Sequence, residues 1–347
     1  MAKSLTSAIG VDIGRHSIKS VLMQRKGADR FILTHFASQP VDESLERNSE
    51  SLGKQLKTLL KQMGGKARNC AVTVSSPDSL IRIIDQPETP TDVLRDALRI
   101  NGSTALNQDC RNMVLDCAMI PTQPAAEGAE VNTRMKRYLV AGLPRMRVLE
   151  TNLAFENGGI KGLSSVQLSP ISVLNAFEYA QEEVFNSHSF FLLDLGHASS
   201  TMMIGARKEL VLIRNIEFGG KTLVETLCTL TGEPREVVLG LLDQDDEVMV
   251  ENARLALTAL TREIGSSIGF FEGRREETIS KVWVSGGLAK NRAVLRVLAE
   301  ELQMPTIAWN VAERCEVHVA AAKRERFEHE SLDLGAACGA ALELLQP

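Results

Sequence analysis

Two apolar runs of the same shape, about half a chain apart, dominate the hydrophobic pattern. Ala8 to Lys19 reads Ala-Ile-Gly-Val-Asp-Ile-Gly-Arg-His-Ser-Ile-Lys, and Phe190 to Ser200 reads Phe-Phe-Leu-Leu-Asp-Leu-Gly-His-Ala-Ser-Ser. Each starts as a continuous apolar stretch, the pattern of a strand covered on both faces. Each then meets an Asp, a Gly two residues on, and a serine five past the Asp, Ser17 and Ser199. The likeness continues downstream. The first copy runs into Val21 to Gln24, Phe31 to Phe36, a helix and the strand Cys70 to Ser75. The second runs into Met202 to Gly205, Leu210 to Phe218, a helical stretch and the strand Lys281 to Ser285. Each half reads β-β-β-α-β, so the chain is predicted to be α/β and duplicated.

Between these landmarks the period changes to that of helices. Leu52, Leu56, Leu59, Leu60 and Met63 line one face of a helix over Asn48 to Met63, ended by Gly64-Gly65. From Pro77 the order is strand (Leu80 to Ile84), a helix capped by Thr91 with Leu94 and Leu98 inward, strand (Met113 to Ile120) and strand (Arg137 to Ala141). That block interrupts the first half and is predicted to be an inserted subdomain, with Pro121 to Asn132 an exposed loop inside it. A helix over Arg145 to Glu156, the strand Ser165 to Leu168 and a helix opened by Ser169-Pro170 return the chain to the first half. In the second half, Gly219-Gly220 leads one helix and Pro234 starts another. A long helix follows, with Ala253, Leu257, Leu260, Ile264, Ile268 and Phe271 on one face. Val282 to Ser285 then runs into Gly286-Gly287 and a helix with Val294, Leu298 and Leu302 inward. Glu313 to Ser331 is dense in charge, and the small-residue helix over Leu332 to Leu345 is predicted to dock on the first half. The expected division is residues 1-76 and 160-186 with 332-346 as one lobe, 77-159 as the insert, and 187-331 as the second lobe.

The two Asp-x-Gly turns carry the candidate chemistry. One alone is explained by a plain hairpin turn, since Asp and Gly dominate turns. Two in matching halves point to a shared task. Glycine lets backbone N–H groups and a hydroxyl approach phosphate oxygens, while the Asp faces a hydrated Mg²⁺. A strand ending in Gly286-Gly287 similarly allows a flat ring or ribose to come close, although a tight turn accounts for it equally well.

Composition narrows the class. A chain of 347 residues with 44% hydrophobic and 24% charged residues has the make-up of an ordinary globular protein of two or more domains. A net charge of -5 argues against nucleic-acid binding. The six cysteines form no Cys-x-x-Cys pair and are expected to be reduced, and His35, His188, His318 and His329 share no metal-binding period. Met1 to Ser7 lacks the apolar core of a signal peptide, and the most apolar helix is too short to span a bilayer, so a cytoplasmic location without direct membrane insertion is expected.

These motifs resemble the actin, heat-shock chaperone and sugar-kinase superfamily, and within it the PilM family of type IV pilus assembly. The matching stretches are Gly10-Val-Asp-Ile-Gly14 with Ser17-Ile-Lys19, Ala71 to Ser75 followed by Leu80-Ile-Arg82, Leu139 to Gly142, and Asp194-Leu-Gly196 with Ser199-Ser-Thr201. Phe218-Gly-Gly220 with Thr222, Ser285-Gly-Gly287 and Leu334-Gly-Ala-Ala complete them. The resemblance implies an actin-like (ribonuclease H-like) fold, two lobes around a nucleotide cleft, with ATP and Mg²⁺ as cofactors. Asp12, Gly14, Arg15, Ser17 and Lys19 would form the first phosphate loop, and Asp194, Gly196, Ser199 and Ser200 the second. Gly219, Gly220, Gly286 and Gly287 would also border the nucleotide, and Asp12 and Asp194 would order Mg²⁺ through waters. It further implies a partner, the short cytoplasmic N-terminal peptide of a PilN-type membrane protein, with other inner-membrane platform components, and so peripheral association with the inner membrane.

Several positions depart from the family pattern. Arg15-His16 stand where small hydroxyl residues are usual, and Arg15 can clamp a phosphate or fill the space. His197 replaces a small residue. Ser169 stands in place of an acidic residue before the Pro170 helix, and Val237 to Leu241 in place of residues that contact ribose and base. Hydrolysis is therefore expected to be weak or absent, with no residue assigned as catalytic. A small-molecule kinase of the same superfamily and an FtsA-like filament-forming protein remain as alternatives, the first lacking a convincing general base.

Overall fold

The computed structural model describes residues 5–41, 48–121, 135–244 and 246–346. The chain begins with β1 (Ser7–Ile13), β2 (Ser17–Lys26) and β3 (Arg30–Pro40), an antiparallel meander. Next come α1 (Ser49–Met63) and β4 (Asn69–Val74), which lies parallel to β1. Asn48 starts α1 by accepting from the N–H groups of Glu50 and Ser51, and Gly64 ends it at φ 83°. The insert follows as β5 (Leu80–Pro87), α2 (Thr91–Ala105), β6 (Met113–Met119) and β7 (Met135–Pro144), an antiparallel sheet of order β5-β7-β6. Thr91 is the first residue of α2 rather than its cap, and Pro90 holds the cap position without a side-chain bond. The loop expected over Pro121 to Asn132 lies, beyond Pro121, outside the described residues.

The first sheet then resumes with α3 (Arg145–Asn157), β8 (Ser165–Leu168), α4 (Ser169–Ala180) and α5 (Glu182–Ser187). The second half supplies β9 (Ser189–Leu195), β10 (Ser200–Ala206), β11 (Glu209–Ile216), α6 (Gly220–Thr231), α7 (Arg235–Gln244), α8 (Glu247–Arg275), β12 (Val282–Ser285), α9 (Arg292–Leu302) and β13 (Thr306–Ala308). The chain closes through β14 (Glu316–Val317), α10 (Arg324–Glu330) and α11 (Gly335–Leu345). The sheet orders, β3-β2-β1-β4-β8 and β11-β10-β9-β12-β13, are the same in both halves. Where the second half crosses from β12 to β13 with α9 alone, the first half crosses from β4 to β8 with the insert and then α3.

The central strands β1 and β9 are buried almost end to end, as strands covered by helices on both faces must be. The face of α8 read from the sequence is the buried one, from Ala253 through Phe271. One boundary is corrected. β14 pairs with β3 in the first sheet, and Val311, Cys315 and Phe327 share an apolar cluster with β2, β3 and α4. The segment ahead of residue 332 is thus packed on the first sheet, a long-range parallel bridge that leaves no local signature.

α11 lies against β1 and α4 without intervening side chains. A Cβ on Gly10 would sit 1.9 Å from the Ala337 carbonyl oxygen, and one on Gly339 would sit 1.7 Å from that of Ser172. Neither position has room for a methyl group. Gly339→Ala is expected to lower unfolding free energy by about 2 kcal/mol or more, through forced separation of α11 from α4. Gly265→Ala, on an open face of α8, is expected to raise it by about 0.5 kcal/mol. Urea denaturation of both variants checks the pair, and equal effects would contradict the packing described.

Candidate functional site

Both turns are built the same way. In the first, Asp12 pairs across the hairpin with Lys19 and Ile13 with Ile18. In the second, Asp194 pairs with Thr201 and Leu195 with Ser200. The register makes Asp12 and Asp194 equivalent, as it does Lys19 and Thr201. Gly14 and Gly196 cannot carry a side chain, because a Cβ would come within 2.7 Å of the Ser17 carbonyl oxygen and 2.4 Å of that of Ser199. The second turn is further fixed by its neighbour, since the N–H groups of Gly220 and Lys221 donate to the carbonyls of Gly196 and His197.

The two turns face each other across a cleft of about 700 Å³. Asp12, Gly14, Arg15, Ser17 and Lys19 line one wall, with Asp194, Gly196, Ser199, Gly220, Gly286 and Gly287 on the other. Two of the expected site residues are elsewhere. Ser200 is buried and donates to the Phe218 carbonyl at 2.7 Å, and Gly219 presses on the second turn, where a Cβ would lie 2.6 Å from the His197 carbonyl oxygen. At the mouth, the His16 and His197 rings stack with centroids 4.7 Å apart and planes inclined by 22°. Two of the three unusual residues of the loops, one from each turn, therefore touch one another.

The floor of the cleft is a cluster of carboxylates short of positive charge. Lys19 Nζ lies 3.5 Å from Asp12 Oδ2, and Ser285 Oγ donates to Asp194 Oδ1 at 2.9 Å. Asp333, from the turn ahead of α11, makes a 3.6 Å ion pair with Lys290, while its buried Oδ1 has no hydrogen-bond partner among the described residues. Burial pushes the Asp194 carboxyl up to about 6; the Ser285 hydrogen bond opposes this and the Asp12 charge adds to it. Asp12 is raised by burial too, against the pull of Lys19. Lys19 is raised despite its burial, because Asp12, Asp333 and Asp194 surround it. No group of three or more His, Cys, Asp or Glu side chains placed to hold a metal ion directly occurs among the described residues, so these carboxylates suit a cation met through waters.

Sequence reasoning missed three contributions. Asp333 and Lys290 sit in segments that gave no pattern pointing to the cleft. α7 also contributes side chains not named from the sequence: Arg235, Leu239 and Asp243, spaced by four, line the wall, and Asn291 donates to Asp243. That helical spacing was the available signal. The Ser76 hydroxyl, also in the wall, has no partner among the described residues.

A duplicated sheet with an acidic glycine turn at the same place in each half, facing across one cleft, defines a protein of the actin-like class. The sequence profile of the type IV pilus assembly protein PilM matches residues 10–345, nearly the whole chain, so the chain belongs to that family. A PilM-PilN type IV pilus biogenesis complex has the same fold, at a TM-score of 0.80 and 20% identity, covering 98% of this chain and 99% of that one. Two more distant structures share the fold. A diol dehydratase-reactivating factor in nucleotide free form aligns at TM-score 0.55 and 10% identity, over 99% of this chain and 100% of that one. The ethanolamine utilization protein EutJ from Carboxydothermus hydrogenoformans aligns at 0.54 and 12%, over 100% and 92%. Comparison with curated protein sequences finds no match.

The raised carboxyls fix the sign of a pH effect. Asp194 holds its proton more tightly folded than unfolded, so its contribution to stability is complete below about pH 4 and is lost as pH rises through about 6. Asp12 acts in the same direction. Asp194→Asn is therefore expected to gain stability relative to the parent between pH 4 and 6, read from denaturation midpoints at each pH. A difference that stays constant across that window would refute the assignment.

Proposed function

We propose that the chain is an ATP-binding scaffold of a type IV pilus, holding Mg²⁺·ATP between its lobes and a PilN-type membrane protein on its inserted subdomain. The observation that carries the nucleotide part is the convergence of Asp12 and Asp194, at equivalent positions of β1 and β9, on one cleft where Lys19 is the cation beside them. Asp12 and Asp194 would hold Mg²⁺ through waters. Gly14, Ser17, Lys19, Gly196 and Ser199 would receive the phosphates, with Arg15 at the rim, and Gly286 and Gly287 would border the adenosine. Mg²⁺ supplies charge neutralisation to the phosphates. At the start of α4 the wall presents Ser169, a hydroxyl in place of a carboxylate suited to orient a water, which supports slow or absent hydrolysis.

The partner part rests on the family and on exposed apolar side chains. The solved relative is described as a PilM-PilN complex. On this chain the insert exposes Val93, Ile100, Val114 and Met119, and α3 beside it exposes Met146, Leu149 and Leu153 at helical spacing. Such a surface suits a short apolar peptide. No helix among the described residues is long and apolar enough to cross a membrane, and the reading places the protein on the cytoplasmic side of the inner membrane, held there by its partner.

Calorimetric titration of metal-stripped protein with Mg²⁺·ATP tests the first part, with Asp12→Ala as control. Binding that is abolished in the variant is expected; a parent that takes up no nucleotide would remove ATP from the proposal. Replacing His16 by Ser, the small hydroxyl residue usual in the family, unstacks the two rings and is expected to tighten ATP binding by about tenfold, about 1.4 kcal/mol. Capture of the protein by an immobilised PilN-type N-terminal peptide tests the second part, and absence of capture with and without ATP would discard it.

A further inference from the structure

The insert is attached to the first lobe by the chain and to the second lobe by charge. Its central strand β7 carries Arg137, whose Nη1 donates to Glu209 Oε1 at 2.7 Å and whose Nη2 donates to the Val211 carbonyl at 3.1 Å. Glu209 opens β11, the outer strand of the second sheet, and is 3% exposed. Arg275, the last residue of α8, completes the cluster with bonds of 2.8 and 2.6 Å to the two carboxylate oxygens. Burial opposes ionisation of Glu209, and the hydrogen bonds of Arg275 and Arg137 outweigh it, leaving the carboxyl below its ordinary range. Around this cluster, Ile83 and Leu139 of the insert and Ile213 of β11 pack against one apolar core.

The far end of β11 is at the cleft. Asn215 and Glu217 are in its wall, and Thr201 Oγ1 donates to Asn215 Oδ1 at 3.0 Å. Ser200 donates to the Phe218 carbonyl, and the start of α6 donates to the second turn. One strand thus runs from the second phosphate-type turn to the insert, with a bulge at Val211, the residue whose carbonyl Arg137 holds. A rotation of the lobes about the cleft must either carry the insert along through Glu209 and Arg137 or shear a buried, charge-assisted contact. Such contacts have discrete made and broken states rather than a continuum.

We propose that occupancy of the cleft and the conformation of the insert are coupled through β11, with Arg137 and Glu209 as the positioning residues of that coupling. The proposal rests on the nucleotide reading above and names how its site is regulated. A ligand that draws the turns together displaces β11, and the ion cluster passes that displacement to β7. By reciprocity, a partner that fixes the insert alters affinity at the cleft by the same factor.

The test uses the full chain, Mg²⁺·ATP as probe, and two readouts, calorimetric affinity and amide hydrogen exchange of β5 and β7. In the parent, saturating Mg²⁺·ATP is expected to slow exchange in these strands by about tenfold, within the usual range of coupling. In Arg137→Gln, ATP affinity is expected to stay within about threefold of the parent while the slowing disappears. Arg137→Lys, which keeps the charge but not the paired donors, should retain a fraction of the response and serves if the glutamine variant does not fold. Persistence of the full slowing in either variant overturns the proposal, as does a parent that binds ATP without any change in β5 and β7. A parent that shows no calorimetric binding ends the nucleotide reading and this inference together, an outcome distinct from the other two.

Discussion

Two buried carboxylates that repel each other are the constraint around which this molecule is arranged. Asp12 and Asp194 are delivered to one cleft because each lies next to the end of a deeply buried central strand, where the chain must turn back sharply over a glycine. Burial makes charge costly there and raises both carboxyls, while the carboxylates around Lys19 keep its ammonium charged against that burial. The surrounding parts answer the same problem. Ser285 donates a hydroxyl to one carboxylate, and Lys290 brings a second cation to Asp333.

Much of this was readable from the chain because it is encoded locally. The repeated Asp-x-Gly turns, the alternating face of α8, the Asn48 and Gly64 ends of α1 and the position of the insert each follow from a few neighbouring residues. What escaped is encoded across distance. Glu316-Val317 became a strand only because Leu33 and Ile32 offered an open edge. Asp333 reaches the cleft because α11 docks on β1, a fact written in glycines hundreds of residues apart. α7 looked unsuited to a polar ligand when read as a sequence of apolar residues; its cleft face is every fourth residue, and two of those three are charged. The place of Ser200 in the motif did not reveal that its hydroxyl donates to the Phe218 carbonyl.

Membership of the PilM family and the geometry of the cleft bear on different ends of the protein. The family concerns type IV pilus assembly, whereas the cleft is where the acidic turns of the two halves meet. The inserted subdomain joins the two concerns. It is added ahead of the crossover helix α3, where the second half has α9 alone, borders the cleft at Pro77 and Ser79, and is fastened to the lobe opposite its own attachment.

The docking of α11 also orders events in time. The second sheet is drawn from one continuous stretch, β9 to β13, and can assemble as soon as that stretch has left the ribosome. The first sheet cannot, because β1 stays uncovered on one face, and β3 unpaired at its edge, until α11 and β14 are synthesised. The lobe made first is therefore finished last. Through most of translation, its apolar strands are a surface on which a chaperone or a neighbouring nascent chain can settle.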